Sequence, residues 1–277
     1  MATADILFDN SIPRIMGIFN VTPDSFSAGG KNFSFQDAID NIARMVDEGA
    51  DAVDIGGEST RPGSTPVSLD EELARVIPMV EAISRRFDVC ISVDTQKPQV
   101  ARESVKAGAH IINDVGGLRD EQMSAFIAES KTPVIIMHMH GEPSTMQLNP
   151  LGNDPIEEIR TFFKKKIFQC EELGIKKFIL DPGIGFGKTF NQNLAIIKNL
   201  SKLKIDGIPL LIGHSRKGFI GEITGQPPDR RADGTNAITA LSIYNGADIV
   251  RVHDIASTKD AALVAHAVKN ERVKIHA

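Results

Sequence analysis

Only two cysteines occur among the 277 residues, Cys90 and Cys170, and their separation suits neither a zinc-type cluster nor a disulfide framework. Cys90 falls in a candidate strand and Cys170 in a candidate helix, and both read as reduced core thiols. Long hydrophobic runs are missing as well: no window approaches the ~20 apolar residues of a membrane-spanning helix. Residues 1–5 carry neither a basic region nor a long apolar stretch, the pattern of a soluble cytoplasmic protein with no membrane partner. Basic residues are in deficit, with 31 Lys and Arg against 36 Asp and Glu and a net charge of -5. That balance argues against a broad nucleic-acid surface, so any anionic ligand must be held by a local group of cations. Low-complexity segments and long linkers are also lacking, and the chain reads as one domain over residues 1–277.

What is present is a 42% hydrophobic chain, long enough to bury a sizeable core without disulfides or metal. Short β-rich runs alternate with longer helical patterns. The runs cover residues 14–19, 52–55, 89–93, 110–112, 134–137, 178–180, 210–212 and 249–252. Between them apolar residues recur at three-and-four spacing, as in Ala38, Ile39, Ile42, Met45 and Val46. Gly49, Gly108, Gly174 and Gly246 each close a helical pattern shortly before the next strand. Similar endings recur at residues 48–51, 106–109 and 244–248, as a repeated βα unit would produce. Eight strands separated by eight helices make a single-domain (β/α)8 TIM barrel the leading fold, with an open doubly wound sheet as the alternative.

A barrel of this kind carries its chemistry at the carboxyl ends of its strands. Those ends hold Asn20, the run from Gly56 to Arg61, Asp94, Asn113 with Asp114, His138, Asp181, Ser215 to Lys217, and Arg251 with His253. The opposite ends are plainer. Asp114 alone is as well explained by bracing its own loop. Asp94 and Asp181 end buried strands and need donor partners. A fused heterocycle with an amino group beside a ring N–H offers two donors in line, and Asn113 supplies a donor and an acceptor beside them. A glycosidase-like acid and base pair is the competing use, ranked lower because of the many cations. Arg61, Lys217, Arg251 and His253, with Asn20, suit a diphosphate, which a divalent metal would help neutralise. His138 and His140 lack nearby Cys or acidic ligands, which favours a loop-orienting role over zinc. The loop from Asp181 to Thr189 ends in Gly-Lys-Thr but has Pro182 where a Walker phosphate loop requires glycine. Its glycines instead suit close approach to a flat ligand, with Phe186 as an apolar or stacking surface.

Seven segments in order resemble the dihydropteroate synthase family. They are Met16-Gly-Ile-Phe-Asn-Val-Thr-Pro-Asp-Ser-Phe26, Asp54-Ile-Gly-Gly-Glu-Ser-Thr-Arg-Pro-Gly63, Ser92-Val-Asp-Thr95, Ile112-Asn-Asp-Val115, Asp181-Pro-Gly-Ile-Gly-Phe-Gly187, Ser215-Arg-Lys217 and Arg251-Val-His253. The resemblance implies condensation of 6-hydroxymethyl-7,8-dihydropterin diphosphate with para-aminobenzoate, a sulfonamide-sensitive step of folate biosynthesis. It also implies a homodimer and Mg²⁺ as cofactor. Carried over residue by residue, Asp94, Asn113, Asp181 and Lys217 hold the pterin. Asn20, Arg251 and His253 take the diphosphate, with Asn20 also reaching the metal, and Thr60, Arg61, Pro62, Phe186 and Ser215 surround the aminobenzoate. Asp94, Lys217, Arg251 and His253 form the catalytic set. His140, His214 and Gly218 depart from the family pattern. A pterin-dependent methyltransferase, a binding-only paralogue and a Schiff-base role for Lys217 are the competing readings.

Overall fold

The computed structural model describes residues 3–21, 34–58, 66–141, 146, 150–152 and 154–271. Eight parallel strands form one sheet in the order β6-β5-β4-β3-β2-β1-β8-β7. They are β1 Arg14–Asn20, β2 Ala52–Gly56, β3 Cys90–Asp94, β4 Ile111–Asp114, β5 Val134–Met137, β6 Phe178–Asp181, β7 Leu211–Ile212 and β8 Ile249–Val252. A parallel bridge between Leu180 and Leu210 joins the two ends, and the sheet becomes a barrel. The helices are α1 Phe35–Asp47, α2 Leu69–Arg86, α3 Pro98–Ala107, α4 Glu121–Ser130, α5 Pro155–Leu173, α6 Phe190–Lys198, α7 Gly218–Thr224, α8 Ala232–Tyr244 and α9 Ile255–Asn270. The strand pattern read from sequence holds to within a residue or two. The helix pattern needs one correction: the connection from β7 to β8 contains two helices, because Gly225, Pro227 and Pro228 end α7 before α8 begins.

Strand parity divides the interior into two cores. Residues such as Val53, Ile55, Ile91 and Val93 face the helices and belong to the large outer core. Met16, Ala52, Cys90, Ile111, Ile135, Ile179, Leu211 and Ile249, one from each strand, fill the barrel axis. The N-terminal 3-10 helix, Ala4–Phe8, closes the bottom of the barrel by packing Ala4 and the fully buried Leu7 against that layer. Cys90 and Cys170 are buried thiols, and burial pushes Cys90 up to about 12. No helix among the described residues is long and apolar enough to cross a membrane.

The repeated helix endings have a common physical job. After the left-handed Gly49 and Gly246, the side chains of Asp51 and Asp248 accept from the backbone N–H of Ile15 (2.8 Å) and Leu210 (2.7 Å), at the start of the neighbouring strand. The third copy, Gly108-Ala-His110, uses a different side chain for the same purpose: Nδ1 of His110 accepts from Ile91 N–H at 2.9 Å. Burial lowers the pKa of His110, consistent with a neutral ring whose nitrogen accepts. The bottom of the barrel is therefore less plain than the sequence suggests. Arg14 bridges Asp9 and Asp51 there, and Lys204 pairs with Asp248.

Leu7→Ala should remove the plug without touching the other end of the barrel. The expected loss of unfolding free energy is about 2–5 kcal/mol, read by urea denaturation. An unchanged midpoint would show that the bottom layer is closed without it.

Candidate active site

The centre of the upper barrel is Asp54, a residue that the sequence reading quoted within a motif but assigned no role. It lies inside β2 with the same parity as Ala52, so its carboxylate points along the barrel axis and is fully buried. Three donors converge on it: the Ser92 hydroxyl at 2.6 Å, the Asn113 side-chain amide at 2.9 Å, and Nε of Arg251. A buried carboxylate without such partners would cost several kcal/mol, on the order of a broken buried ion pair. The signal available in the sequence was an acid inside the otherwise apolar run Ala-Val-Asp-Ile.

Arg251 reaches across the barrel from β8 and joins two carboxylates. Its Nη2 donates to Asp94 at 2.8 Å while Nε holds Asp54. Burial opposes its charge, and the two acids overcome that penalty and keep its pKa above the usual value. Asp94 is pushed up to about 7 by burial, with Asp54 adding to the rise and Arg251 opposing it. Asp181, at the end of β6, is raised by burial to about 6; the Gly183 N–H bond at 2.7 Å and the charges of Lys188, Lys217 and Arg251 resist that shift. The sequence assigned Arg251 to an anion. In the structure two of its nitrogens serve the acids, and Nη1 has no hydrogen bond among the described residues.

The β7–α7 turn brings a second group of side chains to the mouth. Arg216 adopts a left-handed backbone, φ 57°, unusual for a residue with a Cβ. Its guanidinium grips Asp254 at 2.7 and 3.2 Å, while Nη1 of Arg231, just before α8, donates to the carbonyls of Arg216 (3.0 Å) and Lys217 (3.4 Å). The sharp turn sends Ser215 and Lys217 to different partners. Oγ of Ser215 accepts the backbone N–H of His253 at 3.2 Å and lies 2.9 Å from Nδ1 of its ring. A hydroxyl donating to Nδ1 leaves the proton of a neutral imidazole on Nε2. Ser215 thus braces His253. Lys217 places its ammonium 4.2 Å from the centroid of Phe186, a cation–π contact.

Phe186 is more buried than a free stacking surface would be, because Val115, Met137, Met139 and Met146 pack with it. Asp114 braces its own loop by accepting from Gly116 and Leu118 N–H at 2.8 and 2.7 Å. His138 packs edge-on against Phe162 with its Nδ1 buried and unpartnered, and burial strongly lowers its pKa. Asn20 stands at the mouth end of β1 beside Gly56, where an added Cβ would come 3.1 Å from its Oδ1. A further ionic group ties the start of the β2–α2 loop: Lys97 bridges Glu58 and the buried Glu72, which also accepts from Thr95 at 2.6 Å. Thr60, Arg61 and Pro62 lie outside the described residues, as do most of the two long loops after β1 and β2.

Among the departures, His214 is buried with Nε2 between the Thr235 carbonyl and the Thr239 hydroxyl, a packing role. Gly218 starts α7 with open space where a Cβ would project. The structure therefore brings Asn20, Asp94, Asn113, Asp181, Phe186, Ser215, Lys217, Arg251 and His253 to one mouth of the barrel. The mouth offers two acids and an amide for a donor-rich heterocycle, and cations at the same end for an anion.

Residues 16–253 match the family model described as pterin binding enzyme. The chain is 47% identical over 261 residues to the dihydropteroate synthase of Escherichia coli strain K12, covering 94% of this chain and 93% of the relative. Its fold superposes on the Yersinia pestis dihydropteroate synthase solved with a sulfonamide drug, with a TM-score of 0.89, 44% identity, and coverage of 95% and 96% of the two chains. The Xanthomonas albilineans dihydropteroate synthase solved with 4-aminobenzoic acid gives a TM-score of 0.87 at 44% identity, covering 94% of each chain.

Proposed function

The chain belongs to the pterin-binding enzyme family, and on that premise we propose that it is a dihydropteroate synthase. It condenses 6-hydroxymethyl-7,8-dihydropterin diphosphate with para-aminobenzoate to give 7,8-dihydropteroate and diphosphate. The observation that carries this reading is the convergence of Asp94, Asn113 and Asp181 with Lys217 at the same barrel mouth as Arg251 and His253. The acids and amide accept from the amino and ring N–H groups of the pterin, and Lys217 donates to its carbonyl. Asp94 and Asp181 need ionised or partly ionised carboxyls for that work, and their pKa values of about 7 and 6 place the change near neutral pH.

In the reaction the bond from the pterin methylene to the diphosphate oxygen breaks first, and its electron pair leaves with diphosphate. Nε2–H of His253, oriented through Ser215, and Nη1 of Arg251 stabilise the departing charge. The carboxylate of Asp94 lies beside the resulting methylene cation. The aryl amine then attacks that carbon and loses a proton, with no covalent enzyme intermediate. Mg²⁺ fits this chemistry, since it commonly takes one or two protein oxygens and fills its remaining positions with phosphate oxygens and water. The Asn20 Oδ1 is the protein oxygen we assign to it, and the metal would supply charge neutralisation of the diphosphate. Thr60, Arg61, Pro62, Phe186 and Ser215 bound the aminobenzoate, the place where sulfonamides compete. We place the reaction in the cytoplasm, where reducing conditions keep Cys90 and Cys170 as thiols.

A second copy of the chain is the partner we assign to the outer face of α8 and α9. These helices pack on each other, and Leu241, Tyr244, Val264 and Val268 are each more than half exposed on them. Such apolar exposure suits a homodimer interface.

Purified protein with pterin diphosphate and Mg²⁺ should release diphosphate and form dihydropteroate only when aminobenzoate is added. Lys217→Ala and Asp94→Ala should each lower kcat/KM at least a hundredfold. Tight pterin binding without product would indicate a binding-only protein, and no pterin binding would end the assignment. For the assembly, sedimentation should give a dimer, which Leu241→Asp with Val264→Asp converts to monomer; a wild-type monomer would refute it.

A further inference from the structure

Lys188 is a buried lysine that the proposed chemistry does not use. It follows the glycine-rich loop after β6, in the position that gives that loop its superficial likeness to a phosphate loop. Its ammonium is taken up by the backbone instead. Nζ donates to the backbone carbonyls of Gly183 at 2.8 Å, Phe186 at 2.9 Å and His138 at 3.3 Å, and the residue is only 2% exposed. Three carbonyls consume the three N–H bonds of an ammonium, so its donors are fully committed.

Those acceptors belong to two different elements of the site. Gly183 and Phe186 lie in the loop itself, and His138 follows β5. The loop is pressed against the β5 end closely enough that a Cβ at Gly183 would stand 1.9 Å from the His138 carbonyl, and one at Gly187 would stand 2.2 Å from that of His140. Both glycines have positive φ, 66° and 64°. The loop therefore presents converging carbonyl oxygens to a small buried space, and a single cation binds them together. It ties down the backbone of Phe186, against whose ring Lys217 rests at 4.2 Å.

We propose that Lys188 is a positioning residue for the aminobenzoate half of the site: by gathering the carbonyls of His138, Gly183 and Phe186 it fixes the Phe186 ring as a wall for the aryl group. This rests on the synthase reading, from which the aminobenzoate role of Phe186 comes. Keeping a cation in so dry a place has a cost. Burial pulls its pKa down to about 7, with the charge of Lys217 adding to the fall, while Asp181 and Glu158 favour the charged form. The position tolerates that cost because an uncharged isostere would take the donor from the buried carbonyls of His138 and Phe186 and leave that of Gly183 with the Phe186 N–H alone, at 3.1 Å.

The test compares two equilibrium probes, 6-hydroxymethylpterin, which fills only the pterin half, and pteroic acid, which also carries the aminobenzoate. Affinities are measured by calorimetry at pH 6.5, between the values of about 6 for Asp181 and about 7 for Lys188, so that both groups are mostly charged. Lys188→Met should weaken pteroic acid at least tenfold and hydroxymethylpterin less than about threefold. Phe186→Ala should do the same, and the double variant should be little worse than either single one. Equal losses for both probes, or additive losses in the double variant, would overturn the proposal. Thermal melting separates misfolding from mispositioning; if Lys188→Met does not fold, Lys188→Gln takes its place, and failure of both to fold would make Lys188 a folding residue and overturn the proposal too. Wild-type turnover is followed in parallel. Absent turnover with the pteroic acid increment intact would defeat the synthase reading and leave the positioning of Phe186 standing.

Discussion

The site depends on one buried carboxylate, that of Asp54. It touches no solvent, yet it fixes the amide of Asn113, anchors the hydroxyl of Ser92 and holds Arg251 across the barrel. The guanidinium in turn sits on Asp94, so Asn113 and Asp94, proposed to accept the pterin, and Arg251, proposed to meet the diphosphate, belong to one hydrogen-bonded unit. In a low-dielectric interior such a unit behaves as a whole: each member is costly to bury alone and affordable to bury with its partners. That interdependence gives the mouth of the barrel a defined geometry before a ligand arrives, which is what electrostatic stabilisation of a leaving group requires.

The rest of the fold keeps that unit undisturbed. Below it, one apolar residue from each strand fills the axis and the N-terminal 3-10 helix plugs the bottom. At the strand starts, Asp51, His110 and Asp248 satisfy the N–H groups of neighbouring strands and set their relative register. Around the mouth, side chains tie the turns to one another. Arg231 and Asp254 hold the turn that carries Lys217, and Lys188 holds the loop that carries Phe186. Chemistry and stability thus occupy opposite ends of the same strands.

Much of this was legible in the chain. Mostly apolar runs of three to six residues followed by polar groups marked all eight strands and the end at which the chemistry sits. Asn20, Asp94, Asn113, Asp181, Lys217, Arg251 and His253 were found that way. Asp54 was passed over because it lies inside a strand, where only barrel parity, set by closure, turns it toward the axis. Lys188 was hidden by the strong expectation that lysine is exposed, and nothing local in Gly-Lys-Thr announces three converging carbonyls. The job of Ser215 in bracing His253 joins residues 38 positions apart in the chain and needed the β7–β8 pairing to be seen. The extra helix after β7 was missed because the interval from residue 213 to 248 reads as one connection until its glycine and prolines are weighed as a stop.

The most direct measurement is the affinity of Asp54→Asn for 6-hydroxymethylpterin, beside its melting temperature. The substitution keeps the shape and removes the charge, and a fully buried Asp54 cannot touch the ligand itself. If Asp54 organises the site, the amide of Asn113 and the Arg251–Asp94 pair lose their common anchor. Affinity then falls at least tenfold, about 1.4 kcal/mol or more, in a protein that still folds. Wild-type affinity in the folded variant would contradict the account and make Asp54 a passive occupant of the core.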